Sequence, residues 1–227
     1  MSFLAWGGVD HALSDSDGLL TTLKAYLNLV DVDPGGEGDL LGTLMRQVRM
    51  PSSESFLNTH RWLSRYGFAQ ETKLGVRQDG RVGCTVYYEL PEWDEAAIAG
   101  GLELSRIDCD ETWLYPSIPR ILSPNLAEKR LLGIALSVNP ADGEVESLST
   151  VAQFPSPLVS ASETRCRVLD WLRRKAVDPT EYDRISSILA SEWDAHERTG
   201  WMHALFAQTC STQDKRVTLY LRPYLHS

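Results

Sequence analysis

Apolar and polar positions alternate with a strict period of two in three strand-length stretches: Thr22-Leu23-Lys24-Ala25-Tyr26-Leu27-Asn28-Leu29, Cys84-Thr85-Val86-Tyr87-Tyr88-Glu89-Leu90 and Val217-Thr218-Leu219-Tyr220-Leu221-Arg222-Pro223. Successive side chains of a strand point to opposite faces, so each stretch has one almost wholly apolar face and one polar face centred on a tyrosine. The polar faces carry Lys24, Tyr26 and Asn28, then Thr85, Tyr87 and Glu89, then Thr218, Tyr220 and Arg222. A strand phrase repeated in this way predicts a sheet curled around a polar chamber.

The remaining pattern predicts hairpins separated by helices. Phe3 to Asp10 pairs with Leu19 to Val30 across a polar connection; the second of these also fits an amphipathic helix, and the recurrence of the phrase elsewhere favours a strand. After Pro34-Gly35-Gly36, Asp39 caps a helix with the stripe Leu40, Leu41, Leu44, Met45 and Val48, and a second helix runs from near Ser53 to Gly67. Lys73 to Arg77 and Arg81 to Leu90 flank Gln78-Asp79-Gly80, a turn chemistry that tolerates positive φ. A helix entered at Pro91 is expected to stop at Gly100-Gly101. Residues 105 to 129 are interrupted by prolines and give no regular reading. A third hairpin joins Leu131 to Val138 with Glu144 to Phe154 through Asn139-Pro140-Ala141-Asp142-Gly143, and two helices follow, from Ser160 through Leu172 and from Asp178-Pro179 through Trp193. The last hairpin spans Trp201 to Tyr224 with its turn around Ser211 to Asp214.

Four hairpins with intervening helices make a ββα-type repeat of roughly 60 to 70 residues. The expected fold is α+β: an antiparallel β-barrel, complete or incomplete, with helices outside, forming a single domain over residues 1–227; closing it with about eight strands requires a smaller ring, a partner chain or a gap. An open sheet with helices on one face and the tyrosines in solvent is the alternative architecture.

Composition narrows the function classes. The 227 residues are 43% hydrophobic and 23% charged, which supplies ample core, and the net charge of −9 argues against general nucleic-acid or anionic-membrane binding. No apolar run approaches membrane-span length and the first residues lack a signal-peptide pattern, so a cytoplasmic location is expected. Cys84, Cys109, Cys166 and Cys210 have no metal or redox spacing and are expected to be reduced. Nucleotide-binding glycine motifs, a G-x-S-x-G elbow and a paired-histidine zinc motif are all absent.

These strands resemble those of the aromatic prenyltransferases with the ABBA, or prenyltransferase-barrel, fold, in which inward Lys-x-Tyr or Asn-x-Tyr pairs line a tunnel. Gly8-Val9-Asp10 with Lys24-Ala25-Tyr26 is similar to one unit, and Phe56 to Leu90, with Arg65-Tyr66-Gly67 and Thr85-Val86-Tyr87, to the next. Leu136-Ser137-Val138 with Gly143-Glu144-Val145 resembles the fourth unit, and Arg216 to Tyr224 the last. The chain is short for this family and opens directly in a strand, so an N-terminal unit is expected to be missing. Thr85 and Thr218 stand where a basic or amide residue is common, and Ser147 where a cation would contact diphosphate.

The resemblance implies transfer of a prenyl group from an allylic diphosphate to an aromatic small molecule, as in secondary metabolism. Lys24, Thr85, Thr218 and Arg222 would then bind the diphosphate, while Tyr26, Tyr87 and Tyr220 shield the allylic cation and the acceptor. No cofactor is implied as required; magnesium at Asp10 stays open, its partner carboxylate being expected in the missing unit. Read singly, Lys24 is equally a solvated strand lysine, Arg222 a cross-strand partner of Glu89 and Asp10 a turn residue. Two other functions remain: a barrel enzyme without a prenyl donor, such as a small-molecule cyclase, and a non-catalytic subunit that associates through an open sheet edge, as a homo-oligomer or with another chain.

Overall fold

Among the described residues eight strands form, near where the alternation places them: β1 (Trp6–Ala12), β2 (Leu20–Asn28), β3 (Phe68–Val76, longer at its start than the expected Lys73 to Arg77), β4 (Val82–Leu90), β5 (Leu132–Val138), β6 (Val145–Gln153), β7 (His203–Ser211) and β8 (Lys215–Leu221). They hydrogen-bond in chain order as one eight-stranded antiparallel meander. The computed structural model describes residues 6–12, 20–28, 41, 43, 45–76, 82–91, 94–115, 132–153, 160–195 and 202–221. Among these, no ladder joins β8 to β1, so hydrogen bonding does not complete the expected ring. Closure requires strand number, tilt and stagger to agree, and both end strands keep an edge that no described residue pairs.

The α-helices with described bounds lie between the hairpins: α1 (Glu54–Leu63), α2 (Glu95–Ser105), α3 (Ala161–Arg174) and α4 (Thr180–Ala195). Their starts follow from capping chemistry. Ser53 Oγ accepts from Phe56 N at 3.1 Å, Asp94 Oδ1 from Ala96 N at 2.8 Å, Ser160 Oγ from Glu163 N at 3.1 Å and Asp178 Oδ1 from Thr180 N at 3.0 Å, each satisfying a donor that the first turn leaves free. The helix expected after Asp39 is present in part, with Leu41 and Met45 buried.

The helices cover one face of the sheet. On β4, Cys84, Val86, Tyr88 and Leu90 are buried while Thr85, Tyr87 and Glu89 are half-buried, which is the alternation read from the sequence. The buried set joins Ile134, Leu136 and Leu148 from β5 and β6 with Phe56, Leu63, Ile98 and Leu102 from α1 and α2 in one core. A second cluster sets Trp171 of α3 against Phe206 of β7, with Val217 and Leu219 of β8 packed beside it. His60 and Tyr88 tie α1 to β4 inside the first core, with Nδ1 and the phenol oxygen 2.6 Å apart. Burial, with Arg61 adding to it, pushes the His60 pKa down, and burial raises that of Tyr88.

Two expectations are corrected by packing. Gly100 and Gly101 do not stop α2, which runs on to Ser105 and is capped by Arg106 in the left-handed region (φ 59°). Both glycines are contact points: a Cβ at Gly100 would overlap the Trp62 indole, and one at Gly101 would press on Leu148. The cysteines are not all free thiols either, because Cys109 and Cys210 form a disulfide across a separation of 101 residues. The segment after α2 makes this contact. It contains a short 3-10 turn (Glu111–Trp113) and lies on the helix-covered side of β6 and β7, where Trp113 Nε1 donates to Thr209 O at 3.3 Å, Thr150 Oγ1 donates to Leu114 O at 2.7 Å and the Gln208 amide donates to Trp113 O.

Candidate functional site

The face of the sheet turned away from the helices carries a hydroxyl-rich surface assembled by register. Thr85 of β4 lies opposite Ser137 of β5, Ser137 opposite Ser147 of β6, and Ser147 opposite Ser211 of β7. The next row runs Tyr87, Ala135, Ser149, Thr209 and Arg216, and the one beyond it Glu89, Gly133, Val151, Ala207 and Thr218. A hydroxyl on one strand thus sits beside a hydroxyl on the next: Thr85 Oγ1 and Ser137 Oγ are 3.0 Å apart, and Ser149 Oγ and Thr209 Oγ1 are 2.8 Å apart. Ala135 beside Tyr87, and Gly133 beside Glu89, keep the surface low next to the larger side chains.

A cavity of about 690 Å³ opens at the end of the sheet where β4, β6 and β8 begin, lined by Thr85, Ser137, Ser147, Ser211 and Arg216 among others. That volume suits a small organic ligand, for which sites of about 300–1,000 Å³ are usual. Its rim is acidic. The two turns that border it contribute Asp142, Glu144 and Asp214, and β6 contributes Glu146, with Arg216 the cation among the described lining residues. Part of this polarity holds the turns: Asp142 Oδ1 accepts from Glu144 N at 2.9 Å, and Ser211 Oγ donates to Asp214 Oδ1 at 2.6 Å while accepting from Asp214 N at 2.9 Å. Gly143 closes the first turn with φ +76° and a 2.9 Å bond from its N–H to Asn139 O.

The sequence-selected residues divide into three groups. Thr85, Tyr87, Thr218 and Tyr220 all lie on this face; Thr85 lines the cavity, while Tyr220 is 50% exposed near the β8 edge. Lys24, Tyr26 and Asp10 are placed by backbone register: Lys24 opposite Gly8 and Gly75, Tyr26 opposite Trp6 and Lys73, and Asp10 opposite Thr22. Because Lys73 is in turn opposite Thr85, Tyr26 is two strands from Thr85 in one continuous row. Asp10 sits inside β1 rather than in a turn. Arg222, and with it the suggested pairing to Glu89, lies outside the described residues.

In the sequence Ser137 and Arg216 stand out only as parts of repeat units, with no site role, and Ser149, Thr209 and the register position of Lys73 do not stand out at all. The same period of two in Leu136-Ser137-Val138 and Ser147-Leu148-Ser149 marks the serines as facing away from the core, and that was the available signal. Among the described residues, no group of three or more His, Cys, Asp or Glu side chains is placed to hold a metal ion. None of the described helices is long and apolar enough to cross a membrane.

No protein-family model matches the chain, and no curated protein matches it in sequence. Solved structures do match its fold. The prenyltransferase PriB superimposes over 91% of this chain with a TM-score of 0.64 at 16% identity. The 6-dimethylallyltryptophan synthase of Micromonospora olivasterospora, solved with DMASPP and Trp, covers 90% of this chain with a TM-score of 0.62 at 14% identity. The 5-dimethylallyltryptophan synthase of Streptomyces coelicolor covers 90% with a TM-score of 0.58 at 19% identity. The chain therefore has the fold of the ABBA aromatic prenyltransferases, and it spans 57–59% of the length of these three structures.

Proposed function

We propose that the protein transfers a prenyl group from an allylic diphosphate to an aromatic small molecule on the face described above. The observation that carries this reading is the hydroxyl and tyrosine surface of β4–β8, which lies on the side of the sheet away from the helices in a fold shared with prenyltransferases. In the proposed reaction the allylic C–O bond breaks, the diphosphate departs with the bonding pair, the carbocation forms a C–C bond to the ring, and the ring carbon loses its proton. The residues supply charge placement and cover. Thr85 and Ser137 share one O–H···O bond, which leaves one hydroxyl hydrogen of the pair to donate to the departing diphosphate, whose charge Lys24, Arg216 and Arg222 offset. Tyr26 and Tyr87 offer π faces to the cation and keep water off it. Glu89 lies two residues beyond Tyr87 on the same strand face, and in this reading it takes the ring proton.

No step of this scheme runs through a metal. One carboxylate is a poor magnesium cage, so an ion at Asp10, opposite Thr22, would depend on the donor's phosphates for most of its ligands. The neighbours' ligands, a dimethylallyl thiolodiphosphate with L-tryptophan in one PriB complex, define the first donor and acceptor to try. The test is product formation from dimethylallyl diphosphate with indole and phenol acceptors, followed by mass spectrometry. Wild type should give a prenylated acceptor, and Thr85→Val should lower the rate by about tenfold, as expected for loss of one hydrogen bond to a developing anion. Absence of product across short and long donors would refute it.

A second reading keeps the chamber without the diphosphate: binding, or cyclisation, of a small molecule that bears a cationic group. The acidic rim of Asp142, Glu144, Glu146 and Asp214 favours it, because these carboxylates repel a diphosphate and attract an amine. Calorimetry separates the two readings. Binding of an aromatic amine with no measurable binding of inorganic diphosphate supports the second.

A further inference from the structure

We propose that β8 is a self-recognition edge, along which two copies of this chain pair antiparallel about a two-fold axis at Thr218. β8 bonds to β7 on one side, and among the described residues nothing pairs with its other side. An unpaired strand edge is a template for strand addition. The large apolar side chains that are exposed among the described residues all gather at this boundary: Ile185 (38%), Ile188 (62%) and Tyr220 (50%).

The position of the two isoleucines follows from how α4 packs. Leu189 and Trp193 of α4 and Leu221 of β8 pack against one buried cluster, and Tyr182 packs in the cluster that holds Val217 and Leu219. Ser186 and Ala190 face α3, through the 3.1 Å bond from Arg165 Nε to Ser186 Oγ and the contact of Ala190 with Ala161. At about 100° per residue, Ile185 and Ile188 lie roughly 60° and 120° round the helix from Tyr182, in the direction opposite to Ser186 and Ala190. Since α3 covers β6 and β7 through Trp171, Ala152 and Phe206, the side of α4 away from α3 overhangs the β8 edge. The isoleucines form an apolar ledge above an open strand.

The strand sequence is self-complementary in one orientation. Antiparallel pairing about Thr218 places Arg216 opposite Tyr220 of the second copy and Val217 opposite Leu219, with Lys215 opposite Leu221. The guanidinium then meets an aromatic face and the basic ends lie apart, whereas parallel pairing would set Lys215 and Arg216 against their own copies. The same two-fold brings the two α4 helices side by side so that Ile185 and Ile188 of each cover the other. Each residue contacts its counterpart's partner reciprocally, as an isologous interface requires. Arg216 lines the cavity, so Tyr220 of the second copy lies over one wall of it.

Light scattering after size exclusion at tens of micromolar should give twice the 25.4 kDa chain mass. Ile188→Glu should convert it to monomer with an unchanged far-ultraviolet circular dichroism spectrum. Thr218→Cys in a Cys166→Ser background should form a covalent dimer under mild oxidation, while Gln213→Cys, at the turn, should not. A monomeric wild type overturns the proposal, and so does a dimer that survives Ile188→Glu or fails to cross-link through position 218. If Ile188→Glu misfolds, the cross-linking pair alone decides.

Discussion

The pairing of Ser149 with Thr209 separates the part of the polar face that is structural from the part that is free for a ligand. Both residues are buried, at 9% and 4% exposure, and their hydroxyl oxygens are 2.8 Å apart. Thr209→Val keeps the shape and removes one hydroxyl, which leaves Ser149 Oγ without its partner where little water reaches it. Stranding a buried hydroxyl costs about 1–3 kcal/mol. Ser149→Ala strands Thr209 Oγ1 at a similar cost. The double variant strands neither, so its loss should be near the net value of one hydrogen bond, about 0.5–1.5 kcal/mol, rather than the sum of the two singles. Urea unfolding of the four proteins measures this cycle, and in a chain of this size each kcal/mol also moves the thermal midpoint by about 2–4 °C. The expected coupling is about 1.5–4.5 kcal/mol by this arithmetic. Additive losses, within about 0.5 kcal/mol, would refute the pairing and return both hydroxyls to the pool available to a ligand.

His60 provides a pH test: burial holds its pKa below the 6.5 of the free side chain, so the unfolded chain takes up the proton first. Its contribution is therefore intact above pH 6.5 and is lost as pH falls towards the folded value, with a slope of at most about 1.4 kcal/mol per pH unit; urea midpoints between neutral and mildly acid pH should show it, and His60→Gln should flatten it. Gly143→Ala should destabilise by about 1–3 kcal/mol, because the position combines φ +76° with a Cβ that would overlap the Pro51 carbonyl; an unchanged thermal midpoint would contradict the turn geometry. Closing a 101-residue span, the Cys109–Cys210 bond should stabilise by about 2–4 kcal/mol, read as the drop in unfolding midpoint of Cys109→Ser with Cys210→Ser; equal midpoints would count against the bond.

The strands were legible because a sheet with one covered face forces a period of two, and Thr85, Tyr87 and Glu89 obey it residue by residue. Three helix starts were legible because Ser53, Ser160 and Asp178 do their capping within three residues of themselves, whereas the helix expected to enter at Pro91 starts at Glu95, behind the cap Asp94. What long-range packing decides was not legible. Gly100 looked like a stop, yet its missing Cβ is the space the Trp62 indole occupies, a contact between two helices with a strand pair between them in sequence. The Cys109–Cys210 bond has no local spacing to betray it. For the site, the tyrosine strands announced the face, but the hydroxyl row arises from register, which brings Thr85, Ser137, Ser147 and Ser211 together from four strands. Ring closure was left open by the sequence, because an alternating pattern says which side of a strand is polar and nothing about whether the two ends of the sheet meet; among the described residues no ladder joins them.

The central claim is that the face bearing Thr85 and Ser137 holds an allylic diphosphate beside an aromatic acceptor. A crystal structure of the protein with an allylic thiolodiphosphate tests it most directly. The account predicts the phosphate oxygens within hydrogen-bond reach of Thr85 and Ser137, with the prenyl chain running towards Tyr87. A donor bound on the helix-covered side, or no donor bound at saturating concentration, would contradict it.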